Sequence, residues 1–218
     1  MRPRTSDLGW RRSVKKKMFE DSKAPCDECQ HRAAQRRAVL KTALGLGISL
    51  PFLDVVRAAT KDPAAAPPTA GDQFVFVLGD KKGEVIKVED LALGGPQQLA
   101  YPMEPTGSVV RDGSRLNQVL LIRLDPAQLT PEAKANSAEG VVAYSAICTH
   151  QGCDVSQWKT DTNTLLCVCH GSEFDPKDRA KVTFGPAPRR LAMLPVKVEN
   201  GIVMVAGAFK GKPGFMDL

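Results

Sequence analysis

The sequence predicts an all-β domain of small antiparallel sheets. Seven short segments rich in Val, Ile and Leu carry that expectation: residues 74–78, 84–88, 119–124, 141–144, 164–168, 191–198 and 202–205. Clusters of Gly, Asp and Pro separate them, as strands joined by turns require. Asn200-Gly201 joins the last two segments, and Asn-Gly is a strong two-residue hairpin signal. Only residues 125–135 offer a helix within this region, and a short one. No internal repeat is visible.

The domain begins near Gln73 and runs to the end of the 218-residue chain. That length allows one full domain plus extensions. Three segments precede it. Residues 1–41 form a basic tail, 42–57 a hydrophobic segment, and 58–72 an Ala/Pro-rich linker without apolar periodicity. Such a composition reads as a tether.

Charge follows the same division. The tail holds 12 Lys and Arg against 5 Asp and Glu, a net +7, while the whole chain is +6. The remainder therefore sums to −1, and the basicity belongs to the tail. No recognition motif and no interleaved aromatics accompany it, so no nucleic-acid partner is expected.

Arg36-Arg37 stands at the junction of the basic tail and the apolar run 42–53. This order looks like a twin-arginine export signal. Such a route delivers a chain already folded and loaded with its cofactor. It would place the domain on the periplasmic side of a bacterial inner membrane. An amphipathic helix with a chance arginine pair is the plainer alternative. The apolar run has 12 residues, short of the roughly 20 that span a membrane. Val56-Arg57-Ala58 offers small residues for cleavage. Length thus favours a cleaved signal, while a retained membrane anchor stays open.

Four of six cysteines and two of three histidines fall within residues 148–170. The first group is Cys148-Thr149-His150-Gln151-Gly152-Cys153, the second Cys167-Val168-Cys169-His170-Gly171-Ser172. Thiolates and imidazoles gathered so closely are metal ligands. Cys-x-His followed by Cys-x-x-His supplies two of each from two loops.

The pattern C-T-H-x-G-C … C-x-C-H-G-S resembles that of Rieske proteins of the disulfide-containing type. Two groups share the resemblance: the iron–sulfur subunits of cytochrome bc-type quinol-oxidising complexes and the small subunit of arsenite oxidase. It covers residues 73–207 and is strongest over 141–190. It implies a Rieske-type domain with a cluster-binding subdomain and a [2Fe–2S] cluster. Cys148 and Cys167 would hold one iron, His150 and His170 the other, and Cys153 and Cys169 would form a disulfide clamping the two loops. Two neutral imidazoles in place of two thiolates make that iron easier to reduce. Their protons couple electron transfer to proton transfer, as quinol oxidation requires.

The resemblance extends to the surroundings. Ser172 stands where related proteins place a hydroxyl on a cluster sulfur. Two residues later many carry Tyr, and this chain has Phe174. One usual hydrogen bond to sulfur is then missing, which implies a lower potential. Gly185-Pro186-Ala187-Pro188 matches the proline-rich loop that packs over the cluster in bc-type proteins. Proline fixes φ and stiffens such a lid; an ordinary surface turn is the alternative. This loop and Ser172 tilt the reading towards the bc-type family.

Other chemistries fit less well. Zinc uses Cys₂His₂ sites, but zinc explains neither the two extra cysteines nor Gly152 and Gly171. A Rieske oxygenase needs a second iron held by two further histidines and a carboxylate. Outside the two groups this chain has only His31, in the tail. Cys26-Asp27-Glu28-Cys29 and His31 fall short of four good ligands and read as tail thiols.

The sequence therefore leads to single-electron transfer, with His150 and His170 as the residues that meet the electron's donor. The expected partners are cytochrome b-type and c-type haem subunits together with quinol, with residues 58–72 as hinge. The alternatives are a relay beside a molybdopterin large subunit and a free periplasmic carrier.

Overall fold

The computed structural model describes residues 62–215. The expected signal or anchor over 42–57, the twin arginine and Cys26/Cys29 lie outside these residues. Among the described residues, no helix is long and apolar enough to cross a membrane.

Twelve strands follow in order: β1 Gln73–Phe76, β2 Gln98–Glu104, β3 Val109–Val110, β4 Val119–Arg123, β5 Val141–Ser145, β6 Gln157–Lys159, β7 Thr164–Cys167, β8 Ser172–Asp175, β9 Lys181–Phe184, β10 Met193–Leu194, β11 Val196–Glu199 and β12 Ile202–Val205. Every strand pair is antiparallel. The larger sheet has the order β10-β5-β4-β2-β1-β12-β11, with β3 paired to β2. The smaller is the meander β6-β7-β8-β9. It is inserted between β5 and β10. The fold is all-β, as expected.

The larger sheet closes on itself. β10 lies at one end of its strand order and β11 at the other, yet only Pro195 separates them in the chain. The two ends must therefore meet. Pro195 also splits the single strand expected over 191–198, because it has no N–H for a ladder.

β4 shows how one strand serves two cores. Val119 and Leu121 join Phe74, Ala143, Val203 and Val205. Leu120 and Ile122 face the other way and join Tyr144, Cys148, Cys167 and Phe174. Successive side chains alternate between faces, so a strand covered on both sides is apolar throughout. The second core carries the cluster-region cysteines.

Three expectations change. Residues 84–88 make two isolated bridges, Val85 to Val75 and Lys87 to Ile202, and no extended strand. The Asp90 carboxylate accepts from Lys87 N–H at 2.9 Å and turns the chain into a 3₁₀ turn at Val88–Asp90. The helix expected over 125–135 is two pieces, a 3₁₀ turn Pro126–Gln128 and α1 Pro131–Lys134. Pro131 holds Thr130 extended at ψ 153°, since a residue before proline avoids the helical region.

The third concerns the tether. Residues 62–72, part of the expected linker, lie against the domain. Asn117 Nδ2 donates to Ala66 O at 2.8 Å, and Gly113 N–H to Ala64 O at 3.1 Å. Asp72 and Arg111 form a buried ion pair, Nε to Oδ2 at 2.5 Å and Nη2 to Oδ1 at 2.9 Å. Arg111 Nη2 also donates to Thr69 Oγ1 at 3.0 Å. Burial pushes the Asp72 carboxyl up, but Arg111 and the Thr69 N–H outweigh it and hold it below the usual range.

Asn200-Gly201 is the hairpin turn the sequence announced, with φ of 52° and 76°. Two positive φ values define a type I′ turn.

Candidate metal centre

Three loops meet at the end of the small sheet. Residues 148–153 follow β5, 167–171 join β7 to β8, and 185–188 follow β9.

The first two loops use one turn twice. Gly152 N–H donates to Cys148 O at 3.1 Å, and Gly171 N–H to Cys167 O at 3.0 Å. Both glycines have positive φ, 74° and 73°, a conformation that costs glycine little. Each turn starts on a buried cysteine and carries a histidine inside it. The repeated Cys-x-x-x-Gly spacing is thus a backbone requirement as well as a ligand pattern.

The turns bring the expected residues together. Cys148 and Cys167 are buried and belong to one core. Burial pushes the Cys167 thiol up, and Cys148 adds to this. The N–H groups of Cys169 and His170 act in the opposite sense. Two adjacent buried thiolates need a positive charge between them. His150 and His170 face each other, Nδ1 to Nδ1 at 3.3 Å, with rings at 89°. Two metal–imidazole bonds of about 2.1 Å drawn from nitrogens 3.3 Å apart meet at about 100°, near tetrahedral. The donor set fits a metal centre with sulfur on its inner side and nitrogen towards solvent. His170 is exposed and His150 half-buried.

Cys153 and Cys169 form a disulfide, with Cα atoms 6.6 Å apart. Their sulfurs and that of Cys167 lie within 4.8 Å of one another. That trio is nonetheless no ligand set, because disulfide sulfurs carry no thiolate charge.

The third loop packs on the second. Ser172 is buried, and its Oγ accepts from Ala187 N–H at 3.1 Å. This contact occupies an oxygen lone pair and leaves the hydroxyl proton free to donate elsewhere. Gly185 has φ +86°, and a Cβ there would stand 2.6 Å from Ser172 Cα. Only glycine allows so close an approach. Pro186 is exposed beside it and Ala187 is buried. Phe174 is buried in the same core as Cys148 and Cys167.

Sequence reasoning missed the braces of the first loop. Thr149 Oγ1 donates to Arg189 O at 2.6 Å. Arg189 in turn holds the C-terminal segment, donating to Lys212 O at 2.6 Å and Gly214 O at 2.5 Å. These partners lie far apart in the chain, so no local spacing reveals them. Thr149, inside the C-T-H motif, was the one visible signal.

Fold and donor set together define a small β protein that carries a metal centre at the tip of an inserted sheet. Residues 106–195 match the family model of the Rieske [2Fe-2S] domain. The chain is 36% identical over 138 residues to the cytochrome bc1 complex Rieske iron-sulfur subunit of Streptomyces lividans, covering 60% of this chain and 79% of that protein. It is 31% identical over 190 residues to the protein of the same name from Streptomyces coelicolor, covering 83% of this chain and 53% of the relative. It therefore spans about half the length of that relative. A putative respiratory nitrate reductase subunit Rieske of Haloferax mediterranei is 34% identical over 149 residues, covering 67% of this chain and 63% of that protein. The chain belongs to the Rieske [2Fe–2S] family. It carries a [2Fe–2S] cluster and transfers electrons.

Proposed function

We propose that Cys148 and Cys167 ligate one iron and His150 and His170 the other, and that the chain is the Rieske subunit of a quinol:cytochrome c oxidoreductase. The observation that carries the ligand reading is the 3.3 Å approach of the two Nδ1 atoms beside the paired buried thiols. The bc1 names of the two Streptomyces relatives support the complex.

When bound, the cluster accepts and releases one electron at a raised potential. The chain's residues supply the rest. With Nδ1 on the metal, each imidazole keeps its other nitrogen for a hydrogen bond to quinol and for its proton. The exposed edge of His170 receives the quinol first. The disulfide and the 185–188 loop keep water from the buried thiol side. Export by the twin-arginine route and partnership with cytochrome b-type and c-type haem subunits complete this reading. Residues 62–72 are pinned by Asn117 and Arg111, so they do not form the hinge of a swinging domain.

The Haloferax relative favours a second reading, a relay subunit of another respiratory oxidoreductase. The molybdopterin-containing partner set out above is one case. Purification of the native complex separates the two. Co-purifying haem subunits, and a cluster EPR line shape altered by a quinol-site inhibitor, are expected. A large molybdopterin subunit with no inhibitor effect overturns the first reading.

A further inference from the structure

The two histidine-bearing loops are held in different ways. His170 directly follows Cys169, which is bonded to Cys153. Two residues further on, Ser172 Oγ is fastened to Ala187 N–H at 3.1 Å. His150 has no such neighbour. Among the described residues its ring has one hydrogen-bond partner, His170, and Cys153 stands further along the loop. An imidazole in this situation takes its position from its own backbone.

That backbone rests on the C-terminal segment. Lys210 N–H donates to Met193 O at 2.7 Å, and Met193 N–H to Lys210 O at 3.0 Å. The pair anchors the segment to β10 of the larger sheet. Arg189 then grips the segment with both arms of its guanidinium, at Lys212 O and Gly214 O. The carbonyl of the same Arg189 accepts from Thr149 Oγ1 at 2.6 Å, one residue before His150. Gly214 is buried; a Cβ there would lie 2.8 Å from Leu116 Cδ2 and 3.6 Å from Ile147 Cγ2. Phe215 Cδ1 stands 3.8 Å from where Gly152 would carry a Cβ. The segment therefore meets the first loop before Cys148 and again at Gly152, and Arg189 links it to Thr149 between them.

We propose that residues 210–215 position the first ligand loop, with Arg189 as the positioning residue that fastens them, and that together they fix His150 independently of the disulfide. This rests on the reading of His150 as a ligand. Arg189 acts through Thr149 and the segment. A guanidinium suits the task, because its planar fork presents two donors in fixed geometry and an ammonium does not. Outer partners of this kind orient a ligating imidazole, and their loss costs about tenfold or more in metal affinity. The effect is one-sided. Without the guanidinium the His170 loop keeps its disulfide and the Ala187 N–H contact to Ser172, which is made by backbone.

The test uses full-length, cluster-loaded protein in five forms: the parent, Arg189→Ala, Arg189→Lys, a chain ending at Gly211, and that shorter chain with Arg189→Ala. Pulsed EPR of the reduced cluster reads the couplings of the ligating imidazole nitrogens. In Arg189→Ala one of the two couplings is expected to shift while the other keeps the parent's value. Release of iron to a chelator should be about tenfold faster than in the parent. The shorter chain should show the same shift and the same rate. Adding Arg189→Ala to it should change neither, because the two changes remove one interaction. Couplings unchanged in Arg189→Ala overturn the proposal, and so does an equal shift of both, which marks a general loosening. Rates that multiply in the combined variant also overturn it. If Arg189→Ala takes up no cluster, Arg189→Lys decides: it must show the one-sided shift at smaller size, and parent-like couplings there overturn the proposal. Failure of the ligand reading looks different, since a His150→Ala chain would then retain both nitrogen couplings.

Discussion

The two sheets bury their strands to different degrees. β5 is buried at all five positions, and β4 at all but Arg123. In the inserted sheet, β6 has no buried residue, and β9 is exposed except for half-buried Val182. Apolar burial, worth about 25 cal/mol per Å², is the main support of β4 and β5 in the larger sheet. The smaller sheet has less of it and relies on cross-links. The Cys153–Cys169 disulfide, the Ala187 to Ser172 hydrogen bond and the Thr149 to Arg189 hydrogen bond all gather at its loaded end. The cluster adds a further tie between the same loops, since ligand binding is folding energy where ligands come from separate segments.

The scaffold side breaks most strongly at Asp72. Asp72→Ala leaves Arg111 buried without its partner, a loss of about 3–5 kcal/mol. Denaturant unfolding followed by far-UV CD checks this, and a change below about 1 kcal/mol would make the clasp peripheral. The pH dependence has a definite sign. The folded Asp72 carboxyl lies below its usual range, so its stabilisation is complete above the ordinary Asp value and is lost as pH falls through the lowered one. The Asp72→Ala chain should therefore lose less stability on acidification than the parent.

The cross-linked side breaks at the disulfide. Cys153→Ser with Cys169→Ser opens a loop of sequence separation 16, worth about 3 kcal/mol in a chain-entropy account. The effect should be local. Hydrogen exchange is expected to quicken in β6 to β9 and to stay unchanged in β4 and β5. Uniform quickening across both sheets would erase the distinction between them.

The same difference decides what the sequence reveals. β4 and β5 announce themselves because burial on both faces makes them continuously apolar. β8 and β9, Ser-Glu-Phe-Asp and Lys-Val-Thr-Phe, carry too few apolar residues to be seen, since loops hold them. β2 hides for another reason: it contains Pro102. The proline is tolerated where the β4 partner ends at Ala100 and the β3 partner begins at Met103, so no ladder N–H is required of it on that side. In the metal centre, Cys148, His150, Cys167 and His170 were legible because metal-ligating types crowd a short stretch. The Asp72–Arg111 clasp and the Arg189 brace were not, because their partners meet only in the folded chain.

The smallest expected effect lies where the two sheets share a core. Phe174 on β8 is packed with Cys148 and Cys167 and offers no hydroxyl, while Ser172 on the same strand does. Reduction adds negative charge to the cluster, so a hydrogen bond to its sulfur strengthens in the reduced state and raises the potential. Phe174→Tyr supplies a donor near Cys148 and Cys167 with little change of shape. A charge-assisted hydrogen bond of about 1.5 kcal/mol, realised fully on reduction, corresponds to about 60 mV for one electron. The potential should rise by tens of millivolts up to that bound, and Ser172→Ala should lower it by a similar amount. Redox titration of the two variants reads both shifts. No rise with Tyr would mean that the new hydroxyl bonds something other than sulfur in this core, and the missing tyrosine would then have no bearing on the potential of this chain.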